Sequence, residues 1–441
     1  MSYEAYLVIF MFLCMVIGIF SGAPIAFVLG TVSLVFGALG WGMDCFNIFG
    51  LRVWGVMNNF TLVAIPAFIF MGYVLEGAGL AEELYASLEK IFAHVRGGLA
   101  VGTILFATLI AACTGIVASG VVISGLLALP PMFKRGYDKG MSMGAVAAGG
   151  TLGILIPPSI MLVFYAGETG LSAGKLFAAA FGPGFLLAGL YIFYVVVRCL
   201  INPNMAPSIP KEELGRLTVY DWLRMFKGLC PVFGLVLAVL GAIISGIATP
   251  TEAAGTGALG AMLVALLYRK LSFALLWSSA LKTVQSVGMI MFLIITAGCF
   301  ASVFTGLGGD ELVLEAISST GIGQTGVIIL CLLIVAVFGM FIDWAGILYI
   351  CLPIFLPLIM EFNINPLWFA LLVCTTLQTA WLTPPFGFSI FFVKSVVPDS
   401  IQYNEIVKGC LPYFGMQIIG IMLCILFPNI ILWLPKFFGL N

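Results

Sequence analysis

Apolar runs of about 18 or more residues follow one another along the whole chain, separated by short polar or Gly/Pro-rich interruptions. Each run is long enough to cross the roughly 30 Å of hydrocarbon in a bilayer. The pattern predicts helices over about 4–21, 24–40 and 54–76, then an amphipathic arm over about 80–94 (LAEELYASLEKIFAH) lying at the membrane surface. Residues 97–132 form an apolar run too long for one crossing and short for two, which fits a re-entrant hairpin with its tip at Thr114–Ser119. Residues 139–167 read as a helix broken at GILIPPS (153–159), and a full helix follows over about 175–199.

A long polar linker, about 201–221, then divides the chain nearly in half, and the order of elements repeats. Helices are predicted over about 223–246, 251–268 and 273–300, with a polar-amphipathic arm over 308–318. A second over-long run, 324–360, carries GMFIDWAG (339–346) at its middle, and a second broken helix, 366–394, carries WLTPPFG (381–387) at its break. A last helix is expected over about 404–434. Pro24 pairs with Pro250 and Pro157-Pro158 with Pro384-Pro385, at separations of 226 and 227 residues. With each hairpin counted as no crossing, each half crosses five times. An odd number places the halves, 1–200 and 222–441, in opposite orientations. The expected fold is therefore an all-α integral membrane protein of two inverted-topology repeats, an arrangement typical of secondary transporters.

Composition reinforces this reading. Hydrophobic residues make up 62% of the 441 positions and charged residues 8%, too few charges for a water-facing surface. The net charge of -1 gives no basis for a nucleic-acid partner. The start, MSYEAY, has Glu4 and no Lys or Arg, unlike a cleavable signal peptide, and is expected to remain as the first helix. The eleven cysteines form no CxxC pair and sit almost entirely in apolar runs, as small packing residues do. The one histidine, His94, lies in a polar stretch and is a poor metal or catalytic candidate.

Charge sets the orientation. With the N-terminus outside, fifteen of the eighteen basic residues fall on the cytoplasmic side, and only Arg52, Lys175 and Lys436 fall outside. Both termini are then outside, which in a bacterial inner membrane is the periplasmic side.

The four interruptions carry the candidate chemistry. An unpaired backbone N–H or C=O in hydrocarbon costs several kcal/mol, so irregular backbone at that depth must be satisfied by protein, water, ion or ligand. Half-helix carbonyl ends suit Na⁺, and N–H ends suit carboxylates. Candidate ion-binding positions are Thr114, Gly115 and Ser119 in the first tip and Gly153 and Pro157 in the first break. Gly339 and Asp343 in the second tip and Thr383 and Pro384 in the second break are their partners. Na⁺ itself is expected at Thr114, Ser119, Gly153, Gly339 and Thr383, with no other cofactor. Asp343 is the sharpest single residue, an ionisable group at membrane depth that can bind Na⁺, take a proton or face substrate. Ser159, Trp344, Trp381 and Asp343 are the substrate candidates. Glu252, just after Pro250-Thr251, is read as a helix cap.

At these residues the chain resembles the large membrane subunit of TRAP (tripartite ATP-independent periplasmic) transporters, within the broader ion-transporter superfamily. The matching segments are GIATPTEAAG (246–255), LALPPMFKRGYDKG (127–140), GILIPPS (153–159), GMFIDWAG with the following LPIFLP (352–357), and WLTPPFG (381–387). The resemblance implies sodium-coupled uptake of small organic acids by an elevator mechanism, in which hairpins and broken helices slide against the remaining helices. It also implies two Na⁺ sites near the tips and breaks, a separate small four-helix membrane subunit and a periplasmic substrate-binding protein. One departure stands out. Where many members carry a Gly-Ser-Ser type tip, this chain has Gly115-Ile116-Val117, so a first ion site would lean on backbone carbonyls, Thr114 and Ser119.

Two other classes compete with this reading. An intramembrane aspartyl protease needs a pair of embedded aspartates and only Asp343 qualifies, so no enzyme is expected. A stand-alone ion-coupled organic-anion carrier of the same superfamily would use the same hairpins and breaks.

Overall fold

The computed structural model describes residues 3–92, 95–207 and 219–440. His94 and positions 208–218 of the linker lie outside the described residues. The first half contains α1 (Tyr3–Phe20), α2 (Ile25–Trp41), α3 (Cys45–Met57), α4 (Ala64–Gly77), the arm α5 (Leu80–Phe92), the hairpin α6 (Gly98–Thr114) and α7 (Val117–Lys134), α8 (Lys139–Thr151), α9 (Ile160–Thr169) and α10 (Ala173–Ile201). The second half contains α11 (Val219–Ile244), α12 (Pro250–Leu267), α13 (Phe273–Gly306), the arm α14 (Gly309–Ser319), the hairpin α15 (Gln324–Gly339) and α16 (Trp344–Glu361), α17 (Pro366–Ala380), α18 (Phe388–Lys394), α19 (Tyr403–Leu426) and α20 (Asn429–Phe437). No strand occurs among the described residues.

Eight helical stretches among the described residues are long and apolar enough to cross a membrane. They include α7 and α16, so length alone does not separate a hairpin arm from a spanning helix. Large apolar side chains such as Phe10, Leu13, Ile17 and Phe20 on α1 remain exposed, a surface suited to lipid. The chain is a multi-pass membrane protein.

Caps fix where the helices begin. Asp138 accepts from the Met141 amide at 2.8 Å to start α8, and Asn365 accepts from the Trp368 amide at 3.0 Å to start α17. These two caps are again 227 residues apart, the same offset as the two proline pairs. Thr249 and Glu252 form a reciprocal capping box at the start of α12, with Pro250 in its first turn, as expected for Glu252.

Three predicted boundaries differ. The expected helix 54–76 is two helices, α3 and α4, because the Asn58-Asn59 pair competes for the backbone: the Asn58 side-chain Nδ2 donates to the Trp54 carbonyl at 2.8 Å and the Asn59 side-chain oxygen accepts from the Thr61 backbone N–H at 3.0 Å. Residues 45–53 were missed because Asn47 and Arg52 dilute the apolar run. The helix predicted to end at 300 continues to Gly306, and the last helix divides at Pro428, which holds Phe427 in a non-helical conformation.

Two clusters of helices meet along α13, which also packs on α16. α4 packs on α12 and α13, and α2 on α13. The hairpins enclose the broken helices, α6 and α7 against α8 and α15 against α17. α19 crosses α8 so closely that a Cβ on Gly144 would lie 2.3 Å from the Gly409 carbonyl oxygen. α10 packs on α17 and α19, so α10 and α19 belong with the broken helices. The arm α5 is tied to the base of the first hairpin by an Arg135–Glu89 ion pair at 3.0 Å.

Candidate functional site

Both breaks are built alike. After α8 the chain makes a short 3-10 turn over Leu152–Ile154 and reaches a cis Pro157-Pro158 bond; after α17 it reaches a cis Pro384-Pro385 bond. Ser159 restarts the first helix as the N-cap of α9, accepting from the Leu162 amide at 3.3 Å while its hydroxyl donates to the Ile154 carbonyl. Gly387 restarts the second with φ 34°, a conformation that glycine adopts readily. Thr383 donates to the Thr379 carbonyl at 2.7 Å and is buried.

Each tip meets the break of its own half. Gly115 turns the first hairpin with φ 64°, and a Cβ there would lie 3.4 Å from the Pro158 carbonyl oxygen. In the second half the Phe386 amide donates to the Met340 carbonyl at 3.3 Å, joining break to tip. Gly153 lies against Ala111 of α6, and Gly339 lies against Ala380 of α17.

Between these parts lies a cavity of about 480 Å³. Its wall includes Gly115 to Ala118 from the first tip, Asp343 and Trp344 from the second, and Ile154, Ile160, Trp381 and Phe388 from beside the breaks. The helices α4 and α13 close it with Tyr73, Gln285 and Ser286. Tyr73 and Ser286 hydroxyls are 2.9 Å apart. Asp343 occupies the N-cap position of α16, where the helix dipole favours a negative charge. Trp381 is buried and its indole N–H has no hydrogen-bond partner in the protein. A buried donor of this kind is costly until something accepts from it.

The structure thus brings Gly115, Asp343, Trp344 and Trp381 to one cavity. The other predicted residues lie elsewhere. Thr114 is buried beside the tip, its hydroxyl 3.4 Å from the Ile116 amide, and its backbone presses on Gly72, where a Cβ would lie 2.6 Å from the Thr114 carbonyl oxygen. Ser119 donates to Glu76 of α4 at 2.6 Å, and Ser159 is spent on capping. Pro157 is buried and lines a separate apolar cavity with Phe181, Val236 and Trp433, whereas Pro384 is exposed. Gly153 and Gly339 serve as close-packing points behind the cavity.

For a hard cation such as Na⁺ the oxygens on offer suit the chemistry. They are the carboxylate of Asp343, the hydroxyls of Thr383 and Thr114, and carbonyls freed by the tips and breaks. Among the described residues no cluster of three or more His, Cys, Asp or Glu side chains exists.

Sequence reasoning missed the wall supplied by α4 and α13. It also missed the charged residues near it: Glu76, Lys282 at 4.0 Å from Glu76 and 5.4 Å above the Tyr73 ring, and the Arg52–Glu168 pair. An ionisable residue beside or inside an apolar run needs a partner, but the sequence alone does not say that Glu76 meets Lys282 or that Arg52 meets Glu168.

Residues 9–430 match the family described as "Tripartite ATP-independent periplasmic transporter, DctM component". The chain belongs to this family of TRAP large permease subunits. It is 30% identical over 399 residues to the C4-dicarboxylate TRAP transporter large permease protein DctM of Pseudomonas aeruginosa, covering 90% of this chain and 91% of that protein. It is 28% identical to the ectoine TRAP transporter large permease protein TeaC of Halomonas elongata, covering 94% and 95%. The sialic acid TRAP transporter permease protein SiaT of Haemophilus influenzae is 25% identical, with 90% of this chain and 65% of that protein covered. In fold the DctM-family chain is similar to the crystal structure of the Alcanivorax borkumensis YdaH transporter, described as having an unusual topology. The TM-score is 0.64 at 15% identity, over 96% of this chain and 98% of that one. These relatives are named as permeases or transporters, and the chain is a transport protein and no enzyme.

Proposed function

We propose that this large permease subunit carries small organic acids, as carboxylates, into the cell in symport with Na⁺. The supporting observation is the cavity where both tips and both breaks converge, with Asp343 at a helix start and the unpartnered Trp381 N–H in its wall. Na⁺ held by oxygens at the tips and breaks, with Asp343 and Thr383 in the second half and Thr114 in the first, neutralises the site, and the Trp381 N–H then donates to a carboxylate. Trp344 and Trp381 enclose the apolar body of the substrate.

The two halves are inverted repeats. The hairpins and broken helices, together with α10 and α19, move as one body past α1–α4 and α11–α13, an elevator motion. Both termini face the periplasm of a bacterial inner membrane, which places fifteen of the eighteen basic residues on the cytoplasmic side. A separate small four-helix membrane subunit and a periplasmic substrate-binding protein complete the system.

The test is uptake of a radiolabelled C4-dicarboxylate into proteoliposomes holding this chain and the small subunit, with the binding protein outside. Uptake should require both an inward Na⁺ gradient and the binding protein. Equal uptake in Na⁺-free buffer at fixed pH would overturn the coupling. Uptake by this chain alone would favour the stand-alone carrier.

A further inference from the structure

The end of α9 is gripped from across the boundary between the two helix groups. Arg52 of α3 donates to one carboxylate oxygen of Glu168 at 2.9 Å, and Tyr349 of α16 donates to the other at 2.7 Å. Seven residues on, in the α3–α4 connection, the Asn59 side-chain amide donates to the Gly167 carbonyl at 3.0 Å. The guanidinium is seated by a missing side chain: a Cβ on Gly298 of α13 would lie 2.5 Å from Arg52 Nε. Arg52, Glu168 and Tyr349 face a cavity of about 500 Å³ on α13 residues 301–306, distinct from the one at the tips. Phe164 stands between the two cavities, its ring 5.6 Å from that of Trp344 and 4.6 Å from that of Tyr349.

Glu168 has both oxygens committed, one to each helix group. Tyr349 and Glu168 belong to the same group, so their bond survives any rigid motion of that group. The Arg52 bond does not, because Arg52 stays with α3 and α13. Separating the pair costs the ion contact and exposes two charges that water then solvates, so the pair biases an equilibrium without locking it.

We propose that Arg52 and Glu168 form a latch that holds the present conformation, and that this pair parts and re-forms in every transport cycle. Glu168 is a positioning residue: it acts on the substrate only through the placement of α9 and α16. The proposal rests on the elevator reading above.

The experiment uses the full three-component system in proteoliposomes, in a background with the native cysteines replaced. A short thiol-bridging methanethiosulfonate links Arg52→Cys to Glu168→Cys, and a second preparation links Glu76→Cys to Ser119→Cys, a contact that crosses the same boundary elsewhere. Each bridge should stop uptake, and reductant should restore it. If the first bridge leaves uptake intact while the second stops it, the latch is overturned and the elevator reading stands. If neither bridge slows uptake, the elevator reading fails as well. Charge variants supply the second measurement. Glu168→Lys should change the maximal uptake rate by about fivefold with little change in KM, and Arg52→Glu with Glu168→Arg should restore most of it. No recovery in the exchanged pair, at equal membrane content, would overturn the latch.

Discussion

A Cβ on Gly339 would lie 2.6 Å from the Cβ of Ala380, and a Cβ on Gly153 would lie 2.6 Å from the Cβ of Ala111. These are one contact made twice. In each half the end of the first hairpin helix crosses the end of the first half of the broken helix. One half places the glycine on the break and the other places it on the hairpin. Both crossings require one partner without a side chain.

Gly339→Ala should therefore overpack the second crossing and destabilise the protein by about 1–3 kcal/mol. Gly339→Ala with Ala380→Gly moves the missing side chain across the contact and should recover most of the loss. Tryptophan-fluorescence melting in detergent measures both, and an unrecovered double variant would refute the account.

Asp343→Ala and Thr383→Ala should each weaken the response to Na⁺. Losing a ligand worth ~1.4 kcal/mol raises the half-saturating Na⁺ concentration about tenfold. Uptake titrated against Na⁺ reads this, and wild-type curves for both variants would move the ion sites elsewhere.

Trp381→Phe keeps an aromatic ring in the cavity and removes the N–H. A hydrogen bond to a charged group contributes about 1.5 kcal/mol or more, so KM should rise about tenfold while maximal uptake changes little. An unchanged KM would show that the indole nitrogen does not meet the substrate.

Thr249→Ala removes half of the capping box on α12. It should cost about 1 kcal/mol of stability and leave Na⁺ dependence and KM as they are. A change in Na⁺ dependence would give Glu252 a part in the ion path.

Much of this was legible in the sequence because two strong signals coincide. Apolar runs of membrane length gave the helices, and Gly/Pro interruptions at matched offsets gave both tips and both breaks. Asp343, Trp344 and Trp381 fall in the cavity wall because the breaks that flank them are written in the chain. Other features depend on tertiary neighbours. Nothing in the sequence around Ser119 shows that its hydroxyl is spent on Glu76, 43 residues away. Nor does the start of α13, FALLWSSALKTVQSV (273–287), announce that Gln285 and Ser286 meet the tips, since a polar stripe on a helix does not name the neighbour it faces. The division at Asn58-Asn59 lies inside the helix predicted over 54–76, because two polar residues between apolar flanks do not by themselves show that their side chains take over the backbone bonding.

The two breaks differ in one respect that their sequences do not express. Pro157 and Pro158 are buried, while Pro384, Pro385 and Phe386 are exposed. A chain built from two similar halves is thus handed at its centre in this conformation, with one proline corner presented and the other hidden. An antibody fragment raised against the presented corner would act as a reporter of this conformer, and its binding would fall as the population moved away from it.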